Sequence, residues 1–361
     1  MSGFWPVSLL IDLDHEWWLP TPRSYTDTAD HLPRRSRTLV HESIHYWQQL
    51  SHGYLLELAQ EDWRQLLEWE QGGHPALGPR RERYRKPEGR HGFSAYDLWE
   101  CEARFWEVLF VGPPVVLREA VTRARRESLS GEVDPDLAVL ARRDEADSQT
   151  FDLAMQLSGG YAAPFRVVRE LLGQRDALVA FPFLVHFALK SGDPVATFER
   201  LLDELAPALV AEADRLGIAT AGWDDDVAAG LYTLAADRAE QVVRDAGGSG
   251  LLHAPALFPE SGLADNPVHA WSFARLEQLA ATVGGPTVVD AAICLPGFAD
   301  FRVLLARMLA PPCVRFRDRQ AVDLVDLVGA EPDPGLGGAP AAEALEVQAR
   351  WETFQGSLRT Y

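Results

Sequence analysis

The residues of this chain best suited to chemistry lie in one short run, His41-Glu42-Ser43-Ile44-His45. Histidines four apart sit one turn above each other on the same face of a helix. Two imidazoles so placed converge on one divalent ion, at about 2.0–2.1 Å per bond for zinc. Glu42, about 100° around the helix from His41, is placed to take a proton from a water that such an ion polarises. The flanks supply the helix. Val40, Ile44, Trp47, Leu50 and Tyr54 form an apolar stripe at helical spacing, and Ser36 stands where an N-cap is needed. The histidines fall opposite this stripe, so one side of the helix is expected to pack while the other borders a cleft.

Zinc held for hydrolysis keeps three protein ligands and one open position, so a third donor must come from elsewhere. The helical pattern from Ser94 to Phe110 carries Glu100, Glu102 and Glu107. On a helical wheel its tryptophans, leucines and phenylalanines cover a broad apolar arc. Glu102 falls inside that arc; Glu100 and Glu107 fall outside it. A carboxylate buried among tryptophans is costly without a cation to pair with, which nominates Glu102. A cleft between two helices draws ligands from their polar flanks, which nominates Glu100. Glu100 is the preferred third ligand, Glu102 its rival, and Glu107 a candidate to orient a ligand or to hold a second metal.

The run His41-Glu42-Ser43-Ile44-His45 with a Glu on a later helix resembles the gluzincin clan of zinc metallopeptidases. His41 to Tyr46 followed by Gln48 also resembles bacterial proteins that carry an HE-x-x-HY-x-Q string and take their third ligand from a later Glu-x-x-Ala segment, which Glu100 to Ala103 matches. The resemblance implies His41, His45 and Glu100 as metal ligands and Glu42 as general base and acid. It covers about 70 residues. Where a thermolysin-like enzyme has Asp four residues after the ligand Glu, this chain has Arg104.

Other ligand-like residues are weaker. His52 shares the helix face but lies seven residues past His45, roughly 10 Å of rise, too far to share the ion. Glu88-Gly89-Arg90-His91 repeats the Glu-x-x-His spacing of di-iron carboxylate sites, but Pro87 and Gly89 oppose a helix there. Asp14-His15-Glu16 is ligand-like in composition alone. Tyr96, His91 and Arg104 are candidates to stabilise an oxyanion. The arginine-rich stretch around residues 79–91 can meet an acidic substrate group or be a solvated loop. Serine-hydrolase, P-loop and dinucleotide-binding signatures are absent from the sequence.

Composition bounds the rest. With 47% hydrophobic residues and a formal net charge of −19, the chain reads as globular, with no nucleic-acid partner and no anionic-lipid surface. Three widely spaced cysteines form no disulfide framework, and no signal or membrane-spanning run is evident, so a cytoplasmic setting is expected. Almost every segment carries helical periodicity, giving a mainly α, multi-helix fold with at most a small N-terminal sheet, its strand expected within residues 6–14. A helix is expected from Asp193-Pro194 to Gly217, kinked or split at Pro207, and another from Asp134-Pro135. The expected organisation is a metal-binding region at 1–130, a helical region at 131–328, and a Pro/Gly linker with a C-terminal helix at 329–361. The function expected is metal-dependent hydrolysis of a peptide or small-molecule amide, with zinc as cofactor. The alternatives are a non-haem iron oxidase or oxygenase, with one or two iron ions, and a non-catalytic helical binding protein with a degenerate site.

Overall fold

The computed structural model describes residues 3–13, 37–111, 155, 159–216, 225–296, 309, 313–316, 322–323 and 340–358. Asp14-His15-Glu16, Asp134-Pro135, both expected domain boundaries and residues 329–339 of the expected linker lie outside them. The fold is mainly α with one small sheet. Its helices are α1 (Arg37–Ser51), α2 (Gly53–Glu70), α3 (Pro79–Tyr84), α4 (Ala95–Val111), α5 (Ala163–Leu172), α6 (Gln174–Ala188), α7 (Pro194–Glu204), α8 (Ala206–Leu216), α9 (Asp225–Asp245), α10 (Ala254–Leu257), α11 (Pro267–Val283), α12 (Pro286–Cys294) and α13 (Ala341–Leu358). Among the described residues no helix is long and apolar enough to cross a membrane.

The N-terminal segment departs from the single strand expected. β1 (Gly3–Trp5) and β2 (Leu10–Leu13) pair antiparallel with Phe4 opposite Ile11, and residues 6–9 make the turn between them. Pro6 has no N–H to give a ladder, so the chain reverses there. Two strands from far along the chain complete the sheet, β3 (Cys313–Phe316) parallel to β2 and β4 (Val322–Asp323) antiparallel to β3, in the order β1-β2-β3-β4. Arg315 crosses from β3 to Asp12 on β2 at 2.7 and 2.8 Å.

α6 is the central helix. Every residue from Val179 to Ala188 is buried, and α4, α5, α7, α8, α9 and α12 pack around it. A helix apolar on all sides can only be an interior one. The expected split near Pro207 is real: Asp193 caps α7, whose run ends at Glu204, and α8 begins at Ala206. The stripe Ala344, Val347, Trp351 and Phe354 of α13 docks on the chain's own core, with Phe354 against Trp69 at 5.7 Å.

The break between α1 and α2 falls at His52, whose extended backbone bridges to His253. Gly53 is required next, because a Cβ there would collide with Leu252. A buried polar network fastens this junction. Lys190 Nζ donates to both oxygens of Asp290 at 2.5 Å, Ser51 Oγ donates to Asp290 at 2.6 Å, and His52 meets His186 at 2.9 Å. The junction that ends α1 is therefore tied to α6 and α12 by hydrogen bonds as well as by packing.

Candidate metal centre

The site lies where α1 packs along α4. α4 starts cleanly because Ser94 and Asp97 cap each other: the Ser94 N–H donates to Asp97 at 2.8 Å, and Ser94 Oγ accepts from the Asp97 N–H at 3.1 Å. α1 presents His41 and His45 to α4, and α4 presents Glu100. His45 Nε2 and His41 Nε2 are 3.1 Å apart, His41 Nε2 lies 3.3 Å from Glu100 Oε2, and His45 Nε2 lies 3.6 Å from that same oxygen. Ligand atoms on a tetrahedral zinc with bonds of about 2.0–2.1 Å stand about 3.3–3.4 Å apart. The donor triangle is thus already the size of one face of a zinc tetrahedron. Among the described residues this is the one group of three or more His, Cys, Asp or Glu side chains that converge in this way.

The nitrogen facing away from the triangle is held on both rings. His41 Nδ1 lies 3.1 Å from Glu107 Oε2, and Arg104 in turn donates to that oxygen at 2.5 Å. His45 Nδ1 lies 2.8 Å from Gln48 Oε1, while Gln48 Nε2 donates to Glu102 at 2.6 Å. When both rings are neutral and each gives its Nδ1–H to these oxygens, the two Nε2 lone pairs face one centre, the arrangement metal-binding imidazoles need. The His45 ring also packs against Trp99, centroids 3.8 Å apart with the rings tilted by 37°, and Phe4 lies beyond at 6.4 Å.

The rival nominations for third ligand are now separable. Glu102 is buried, and its carboxyl faces Gln48 rather than the histidines; burial pushes its pKa up to about 8. Glu100 is held well below the ordinary carboxylate range, because His41 and His45 outweigh the burial that opposes ionisation. Burial lowers the pKa of His41, yet hydrogen bonds to Glu100 and Glu107 carry it up to about 10. The triangle therefore holds a positive charge on an imidazole where a metal ion would supply it. Glu107 is engaged by His41 and Arg104 and faces no second ligand cluster among the described residues.

Glu42 lies beside the triangle, and burial raises its pKa against the pull of His41 and His45. Among the described residues no hydrogen bond or ion pair ties its carboxylate. The cleft expected along the histidine face is much narrower than the sequence implied. Glu42, Ser43, His45 and Gln48 are all buried, so α1 is enclosed on nearly every side; only the side chains of His41 and Glu100, each 13% exposed, open the site to solvent. Bulky neighbours explain this, since Trp99 and Phe4 fill the space beside His45.

Residues 79–91 are a short helix followed by an irregular, largely exposed stretch. They contain α3 and an antiparallel bridge between Glu88 and Phe93. Glu88 pairs with Arg83, and His91 stacks on Phe93 and accepts from Arg90, so neither reaches the triangle and the Glu-x-x-His pair is no di-iron half-site. Arg104 is committed to Glu107. Of the three oxyanion candidates only Tyr96 stands at the site, its ring one helical turn before Glu100; burial, then the charge and hydrogen bonding of Glu100, push its phenol up. His52 belongs to the separate buried network described above. Gln48 and Trp99 are the residues whose roles spacing did not reveal. Gln48 sits at i+3 from His45, which was the available signal.

Comparison of the chain with protein-family models, with curated proteins and with solved structures finds no match.

Proposed function

We propose that this chain is a metal-dependent hydrolase of peptide or small amide bonds, with His41, His45 and Glu100 as ligands and zinc as the ion. The observation that carries the proposal is the donor triangle with edges of 3.1, 3.3 and 3.6 Å, two imidazole nitrogens and one carboxylate oxygen, which leaves a fourth position for water or substrate. The ion's contribution is to polarise a water and the substrate carbonyl at neutral pH. Glu42 supplies the proton chemistry: its free carboxylate takes a proton from the attacking water as the oxygen–carbon bond forms. It then gives that proton to the nitrogen as the carbon–nitrogen bond breaks. A carboxylate pKa raised by burial strengthens Glu42 as a base. Tyr96 is the donor available to the developing oxyanion. The gluzincin-like motif supports the same assignment.

Two histidines and one carboxylate with open positions also suit mononuclear iron, so metal analysis is the deciding experiment. Purified protein should carry about one zinc per chain, and replacing both His41 and His45 with Ala should abolish it. Glu42→Gln should keep the metal and lose at least about two orders of magnitude in amide hydrolysis. Iron with oxygen consumption would replace the hydrolase with an oxidase. Metal unchanged in the double variant, or no metal in the parent, would leave a helical binding protein.

A further inference from the structure

The proposed centre opens to solvent past His41 and Glu100, on the flank of α4 where Tyr96 precedes Glu100 by one turn. The segment carrying α3 lies against this flank, and its arginines are not alike. Arg80, Arg81, Arg83 and Arg90 each pair with a carboxylate at 2.6–3.3 Å. Arg85 is exposed and, among the described residues, has no carboxylate partner; its guanidinium lies over the Tyr96 ring, 4.4 Å from the centroid. Stacking occupies the face of a guanidinium and leaves its N–H edge free, and that edge is the fork that matches a carboxylate. The ring beneath is the one whose hydroxyl faces Glu100, so an unpaired cation stands one aromatic ring from the metal triangle. In a chain of net charge −19, an anionic ligand needs such a local cation to approach.

We infer that Arg85 is a specificity residue: the substrate of this centre is an amide that bears a carboxylate near the scissile bond, and the free edge of Arg85 receives that carboxylate. The inference rests on the proposed hydrolytic metal centre and adds the substrate class to it.

Paired metal-directed probes test it without any turnover. Succinic monohydroxamate and its uncharged methyl ester carry the same zinc-binding group and differ only in the distal charge. Both are titrated into cobalt-substituted protein, read by the visible spectrum of the ion. The anionic probe should bind roughly three- to tenfold tighter than the ester, the scale of one partly exposed charge-assisted contact. That ratio should fall to about one in Arg85→Ala, largely return in Arg85→Lys, and stay unchanged in Arg90→Ala, whose side chain is committed to Asp203 at 2.6 Å. Equal affinities in the parent protein, or a preference that survives Arg85→Ala, would overturn the role of Arg85 while leaving the metal centre intact. Failure of both probes to perturb the cobalt spectrum would overturn the open metal site and the Arg85 inference with it.

Discussion

Gln48 offers the sharpest test of how the centre is built, because it is not a ligand and yet stands between two residues that have each been ligand candidates. Its Oε1 fixes the His45 tautomer at 2.8 Å and its Nε2 reaches Glu102 at 2.6 Å and the Trp99 carbonyl at 3.3 Å. Gln48→Leu keeps the volume and the helix propensity but removes the acceptor. Outer partners of metal-bound histidines contribute about 10–100-fold in affinity, or about 1.4–2.8 kcal/mol. The His45 ring is clamped by Trp99 and Phe4, which fix its plane but not which nitrogen carries the hydrogen. The loss should therefore fall near the tenfold end. The same substitution removes one of the donors to the buried Glu102 carboxyl, Trp106 being the other, so the metal-free protein should also lose about 1 kcal/mol of stability. Glu102→Gln is the matched control. Burial keeps Glu102 largely protonated at neutral pH, so the amide imitates it and metal affinity should not move. Competition against a chromophoric chelator, beside thermal melts of the metal-free proteins, measures both quantities. If Glu102→Gln loses the metal while Gln48→Leu retains full affinity, Glu102 is the third donor and the geometry has been misassigned.

Two further outcomes are expected. Glu100→Ala should weaken metal binding by more than the roughly 10–100-fold an outer partner contributes, because two imidazoles lack the charge and third bond of the triangle; unchanged affinity in the same chelator competition would remove Glu100 from the site. His269 is fully buried, and desolvation pushes its pKa down to about 4 although Nε2 hydrogen-bonds the Pro6 carbonyl at 2.8 Å. A folded-state value below the unfolded 6.5 means the unfolded chain takes the proton first, so the stability His269 contributes is present above 6.5 and is lost as pH falls towards 4. His269→Leu should then cost stability at pH 7.5, and that deficit should shrink by about 2 kcal/mol at pH 5. Urea midpoints of both proteins at the two pH values check this, and a deficit independent of pH contradicts it.

What was legible in the sequence is what depends on local periodicity. The i, i+4 histidines had to share a helix face, and the apolar arc of α4 separated Glu102 from Glu100 before any packing was known. Asp193-Pro194 and Pro207 marked real helix boundaries for the same reason, since caps and prolines act within one turn. What was not legible depends on partners distant along the chain. β2 pairs Leu10 with Cys313, and no pattern within either segment specifies the other. The arginines of residues 80–90 looked like one basic stretch because their acids lie elsewhere, on α2 for Arg80 and Arg81 and beyond α6 for Arg90. The same holds for the expected cleft: periodicity marks a polar flank on α1 but not what covers it, and the polar flank of α4 with the rings of Phe4 and Trp99 closes over it.

The enclosed site bears on whether the metal would be structural or catalytic. A structural zinc is closed by four protein ligands, and acids around it have little reason to be left untied. Here each charged or polar neighbour has its own engagement: Glu107 with His41 and Arg104, Gln48 with His45 and Glu102, Glu100 with both imidazoles. Glu42 alone departs from this. It lies next to the triangle, desolvation raises its pKa against the pull of both histidines, and no hydrogen bond among the described residues ties it. Neither packing nor the orientation of a ligand accounts for a carboxylate at this place. In the proposed hydrolase, a base that must accept a proton and release it would account for both its nearness to the triangle and its lack of a partner.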